Sequence, residues 1–222
     1  MTLPALQVAQ TRSGRLGYVV SGQGRPHMVL VNGAGMSLEG WDAVYPELER
    51  LGTVFAYNRF GVKASDPPAR PQTGALVVAA LRELLGYAGV EPPYVLVGHS
   101  LGCLHAELFA RLHPREVCGL LLIEPTCADE PEALVEREDE FAHGTGKALG
   151  LPAAMVEDNL KSELRALEGT LCELDSAGSA PAVAREVLRG QGHFPQLTRP
   201  GEVLAALRRV IDQAAWRTPT LL

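Results

Sequence analysis

The stretch Tyr94-Val95-Leu96-Val97-Gly98-His99-Ser100-Leu101-Gly102 decides the fold. Its first four residues read as a buried strand. They run into a G-x-S-x-G pattern and then into Leu101–His113, where Leu101, Leu104, Leu108 and Leu112 form one helical stripe. A strand that turns sharply into a helix strains the backbone of the serine at the turn. Side chains two residues to either side would collide, and glycines at 98 and 102 remove them. The serine oxygen is thereby lifted above the strand end, over a helix N-terminus that offers N–H donors and the positive end of its dipole. In a chain with 23 glycines the pattern alone could be chance, so the strand before it and the helix after it carry the weight. Ser100 is the candidate nucleophile.

Outward from this turn, short apolar runs alternate with longer helical patterns. Met28–Val31, Thr53–Tyr57 and Val117–Ile123 read as strands, and Leu38–Leu51 and Gly74–Gly89 as helices. From Met28 onward, β-then-α alternation predicts an α/β fold: a mostly parallel sheet with helices on both faces. Leu16–Val20 precedes it as an expected antiparallel edge strand. Pro114 stops the helix after Ser100, because proline cannot continue the backbone ladder.

After Pro125 the texture changes. Asp129–Glu140 is dense in carboxylates, Gly144, Gly146 and Gly150 loosen the next stretch, and Leu160, Leu164, Leu167, Leu171 and Leu174 recur at helical spacing. The reading is one domain over residues 1–222 with a lid-like helical insertion at about 128–176. The leucine face either closes the core or caps a site, and periodicity does not choose. Ala182–Gly190 has a helix-like pattern. Val203, Leu204, Leu207, Val210 and Ile211 form an amphipathic helix entered through Pro200.

Composition narrows the function classes. The 222 residues are 46% hydrophobic and 21% charged, with a net charge of −6. No basic field exists to hold a nucleic-acid backbone or an anionic membrane, which argues against a nucleic-acid binder without identifying a substrate. Cys103, Cys118, Cys127 and Cys172 show no C-x-x-C spacing and read as free, mostly buried thiols. Met1–Arg12 has neither the basic start nor the apolar run of a signal peptide, and no apolar stretch approaches the roughly 18 residues of a membrane span. A cytoplasmic protein is the expectation, its oligomeric state open.

Further motifs carry a family resemblance. Val29-Leu30-Val31-Asn32-Gly33-Ala34-Gly35 is a strand entering a glycine turn, and Gly190-Gln191-Gly192-His193-Phe194-Pro195 is similar to a G-x-G-H-F-P segment. Together with the serine turn, they make the chain resemble the α/β-hydrolases from about Leu16 to Thr126 and again from Gly190 to Ile211. The resemblance implies a helical lid, no metal and no organic cofactor. It implies backbone N–H groups of Ala34 and Leu101 as an oxyanion hole and His193 as the base. A base is also required physically, since a serine hydroxyl is a weak nucleophile at its own pKa. Asn32 stands where the family commonly has histidine. Tyr57-Asn58-Arg59-Phe60-Gly61 through Ser65-Asp66 is similar to the family's D-R-x-G-x-G-x-S loop, with Asn58 for aspartate, and is read as structural.

The acid is the awkward member. The family normally takes it from a turn between lid and histidine, yet Ser176–Gly190 shows no apolar strand followed by Asp or Glu, as though a strand–helix–strand unit were missing. Some relatives carry it after the strand that follows the nucleophile helix, where Glu124 ends Leu120-Leu121-Leu122-Ile123. A carboxylate at a buried strand end is costly unless paired. Glu124 is therefore the expected acid and Asp175 its rival. The resulting expectation is a serine hydrolase for a small, largely apolar ester, working through Ser100, His193 and Glu124. A non-catalytic binding or scaffold protein of the same fold is the alternative.

Overall fold

The computed structural model describes residues 3–125, 166–190 and 192–214. Among them seven strands form one sheet: β1 (Gln7–Thr11), β2 (Gly14–Ser21), β3 (His27–Val31), β4 (Thr53–Tyr57), β5 (Tyr94–His99), β6 (Val117–Ile123) and β7 (Ala184–Leu188). Their order is β1-β2-β4-β3-β5-β6-β7. The five strands from β4 to β7 are parallel, while β2 runs antiparallel to β4 and β1 antiparallel to β2. The Leu16–Val20 run is thus antiparallel as expected, but it is not the edge, because β1 covers it. β1 escapes a periodicity reading because only Ala9 and Thr11 of its five residues are buried.

The inner strands are continuous apolar runs because both faces are covered. Val29, Val31, Phe55, Leu96, Leu120 and Leu122 face α2 (Gly74–Tyr87), α3 (Leu101–Leu112) and α4 (Leu167–Ser176). Their neighbours Met28, Leu30, Val54, Val95, Val97, Leu121 and Ile123 face α1 (Tyr45–Leu51) and the helix Pro200–Gln213. Burying each such Val or Leu contributes about 1.5–3 kcal/mol. The expected helix Leu38–Leu51 is divided into a 3₁₀ turn, Leu38–Trp41, and α1, because Pro46 lacks an N–H and starts a new first turn.

Two further expectations meet the structure at the end of the chain. Ala182–Gly190 is not helical. Its centre is β7, paired in parallel register with Gly119–Ile123. The two-residue period is carried by charges instead of apolar residues: Arg185 reaches Glu107 on α3, and Glu186 on the other face is bound by Arg209. The described end of the leucine run, α4, closes the core. Leu167 and Leu174 are buried against α2 and α3. Gly74 N–H donates to Thr170 Oγ1 at 2.8 Å, and the Glu173 carboxylate accepts from Ala75 N–H at 2.7 Å and from the Thr73 hydroxyl at 2.7 Å. That carboxylate sits at the positive end of the α2 dipole. Cys127, Asp129–Glu140, Leu160, Leu164 and with them most of the expected lid lie outside the described residues. After β7 come α5 (Pro195–Thr198) and α6, the helix Pro200–Gln213 already met.

Candidate active site

Ser100 stands between β5 and α3 with φ 49° and ψ −121°, a region L-residues rarely occupy. It persists because its surroundings over-determine it. Its N–H donates to the Ile123 carbonyl at 2.9 Å, which ties the turn to the end of β6. A Cβ on Gly98 would lie 2.8 Å from Cys103 Cα, and one on Gly102 would lie 2.2 Å from the Val31 carbonyl oxygen. Both glycines are therefore required, the second because α3 starts hard against the end of β3. Leu101 opens α3, so its N–H is one of the first-turn donors without an intrahelical acceptor.

The turn after β3 lies directly against this serine. A Cβ on Gly33 would come 2.7 Å from His99 Nδ1 and 3.3 Å from Ser100 Cβ. Asn32 is fully buried and serves the turn structurally: its amide donates to the carbonyls of Met36 (3.2 Å) and Tyr57 (2.9 Å), and its oxygen accepts from Trp41 Nε1 (2.6 Å). Arg59, 4% exposed, donates to the carbonyls of Asn32 and Gly33. Ala34 is buried in the same turn, and Gly35 takes a positive φ of 61° to let the chain reverse.

β5, β6 and β7 bring the remaining candidates to the same sheet edge. His99 pairs with Ile123 and Ile123 with Leu188, so Ser100, Glu124 and Arg189 each follow the end of a strand at matched height. Glu124 N–H donates to the Leu188 carbonyl at 2.8 Å, and its own φ is 43°. The described non-glycine residues with positive φ are Lys63, Ser100 and Glu124. His193 meets the end of β5, where His99 Nε2–H donates to the His193 carbonyl at 2.6 Å. The rings of His99, His193 and Phe194 cluster there with centroids 4.6–5.5 Å apart, and the His193 side chain is exposed. His99 is completely buried, and burial pushes its pKa down to about 3. The ring is neutral, which leaves Nε2 as the proton-bearing nitrogen and Nδ1 as the lone pair beside Gly33.

Asp175 is elsewhere. Leu174, the residue before it, gives its carbonyl to Arg111 at the last turn of α3, while Ser100 caps the first. At 1.5 Å rise per residue the two ends of α3 are about 16 Å apart. The described contacts of α4 next to Asp175 are thus with the last turn of α3.

The family model for the alpha/beta hydrolase fold matches residues 26–148, more than half of the chain. The chain belongs to the α/β-hydrolase family. It is similar to the uncharacterized protein YqjL of Bacillus subtilis, 30% identical over 46% of this chain and 40% of that protein. It is also similar to a pimeloyl-[acyl-carrier protein] methyl ester esterase of Klebsiella pneumoniae, 26% identical over 76% of this chain and 66% of that one. The chain therefore spans less than two thirds of either relative. Among solved structures, an α/β hydrolase fold protein from Burkholderia ambifaria superposes with a TM-score of 0.73 at 16% identity, covering 93% of this chain and 97% of that one.

Within this α/β-hydrolase, a small cavity lies behind the start of α3, lined by Tyr57, Arg59, Phe60, Leu101, His105 and Thr170. Its free space of about 20 Å³ has room for a single water. His105 there is buried and its pKa is pushed down to about 3 by desolvation. Among the described residues no group of three or more His, Cys, Asp or Glu converges in the manner of a metal site, and no helix is long and apolar enough to cross a membrane. The three described cysteines are free, Cys103 and Cys118 buried and Cys172 exposed. Two residues at the site were missed from sequence. His99 was visible only as a member of the serine turn, and Arg59 only as part of a loop read as structural.

Proposed function

We propose that this α/β-hydrolase is a serine hydrolase of small, largely apolar carboxylic esters. The observation that carries the proposal is the common sheet edge: a strained Ser100, Glu124 on the next strand end, and a histidine loop returned onto the serine turn through His99. In this reading Ser100 Oγ attacks the ester carbonyl carbon as its proton passes to His193, and Glu124 orients the imidazole and supports its cationic form. The oxyanion accepts from the N–H groups of Ala34 and Leu101, each worth about 3–4 kcal/mol of barrier. Collapse breaks the C–O bond, and the departing alcohol takes the proton from His193. Water then attacks the acyl-serine, gives its proton to His193 and releases the acid with Ser100 restored.

The esterase similarity supports the carboxylic ester class. The exposed His193 ring is in keeping with a base that must meet both alcohol and water. The test is fluorophosphonate labelling together with a panel of p-nitrophenyl esters of increasing acyl length. Wild type should label and turn over, and Ser100→Ala should lose labelling and at least about 1,000-fold in kcat without a lower melting temperature. A wild type that neither labels nor hydrolyses would leave the binding-protein alternative in place.

A further inference from the structure

We infer that Arg59 is a positioning residue for the oxyanion donor, its guanidinium fixing and polarising the Gly33–Ala34 peptide. The inference rests on the proposed role of the Ala34 N–H.

Arg59 follows β4 by two residues and is carried inward by a braced loop. Asn58 Oδ1 accepts from Leu38 N–H at 2.8 Å, and the Ser65 hydroxyl donates to the Asn58 carbonyl at 2.7 Å while accepting from Gly17 N–H at 3.0 Å. A buried guanidinium costs several kcal/mol unless its protons are used. Here one proton goes to the Asn32 carbonyl and another to the Gly33 carbonyl, the latter at 2.6 Å. This grip sets the orientation of the turn that carries both carbonyls.

The Gly33 carbonyl and the Ala34 N–H are the two ends of one peptide group. That group is planar and trans, so fixing the direction of the oxygen fixes the direction of the hydrogen. A cationic donor on the oxygen also draws electron density from the amide nitrogen, which makes its N–H a stronger donor. Because the arrangement exists before substrate arrives, no reorganisation is needed as negative charge develops. A Cβ on Gly33 would lie 3.3 Å from Ser100 Cβ, so the peptide held in this way is beside the nucleophile.

The test compares matched oxo and thiono esters on wild type, Arg59→Lys and Arg59→Met. Sulfur accepts hydrogen bonds poorly, so a defect confined to the oxyanion donor affects the oxo ester more than the thiono ester. Arg59→Met should lose about 10- to 100-fold in kcat on the oxo ester and less than about 3-fold on the thiono ester, with KM within about 3-fold. Arg59→Lys, which keeps the charge but not the fork, should fall between. Equal losses on both esters, or failure of both variants to fold, would overturn the positioning role and leave a structural arginine. If Ser100→Ala keeps wild-type turnover, the underlying serine mechanism fails instead, which separates the two outcomes.

Discussion

The two halves of the site are held by different means. On the β3–β5 side, the serine and its neighbouring turn are locked by close packing, Gly102 against Val31 and Gly33 against Ser100, and by the buried side chains of Arg59 and Asn32. Every strand there is buried on both faces. On the β6–β7 side, a strand with charges at its centre leads directly to the histidine loop, and its side-chain attachments are exposed ion pairs. Arg185 and Glu186 tie β7 to α3 and α6, and a hydrogen bond from His99 together with ring contacts joins the His193 loop to the serine turn. The first half is built to tolerate no adjustment. The second adds exposed ion pairs to the backbone pairing of an edge strand.

This contrast can be broken most severely at Glu124. If the acid comes from the end of β6, Glu124→Gln should lower kcat at least about 100-fold with little change in melting temperature, because an unsupported imidazolium is lost as a transition-state partner. The strained φ of 43° belongs to the backbone and is unchanged by the substitution. A silent Glu124→Gln would mean that the β6–β7 half supplies only the histidine. Asp175→Asn, at the far end of α3, should be silent under the same assay.

His99 sharpens the comparison at the next level. His99→Phe removes the bond to the His193 carbonyl while keeping a ring in the pocket, and should cost about 10-fold in kcat with KM nearly unchanged. His99→Gln, which can still donate, should recover part of the loss. Equal activity in all three proteins would show that the loop is aligned by other contacts. A matched fall in melting temperature and activity for both variants would make His99 a packing residue alone.

The smallest effect concerns pH. His99 and His105 have folded pKa values pushed down to about 3, against about 6.5 in the unfolded chain. Below pH 6.5 the unfolded chain takes up protons that the folded one refuses, so stability is full above that pH and declines as pH falls toward 3. At pH 5 each histidine accounts for on the order of 2 kcal/mol. His105→Leu should therefore lose less melting temperature than wild type between pH 6.5 and 5. Parallel curves would show that His105 takes a proton in the folded state.

Much of this was legible in the residues. Ser100 and its glycines, the alternation of β and α from Met28 to Ile123, the turn at Asn32–Gly35 and the motif around His193 are local patterns, set within a few residues by backbone sterics and by burial on both strand faces. β1 and β7 were not legible. An edge strand buries few side chains, and β7 marks its period with an arginine and a glutamate that a helical pattern accommodates equally well. The docking of α4, through Thr170 and Glu173 on the start of α2, was likewise not legible in its leucine spacing. Nothing in the order of residues states that Arg59 reaches the Gly33 carbonyl, or that His99 reaches the His193 carbonyl across 94 positions. Sequence by itself determined the elements and the chemically equipped turns. Which strand ends stand side by side, and which carbonyl a buried side chain finds there, was decided by tertiary packing, since those contacts depend on distances between segments that no local periodicity encodes.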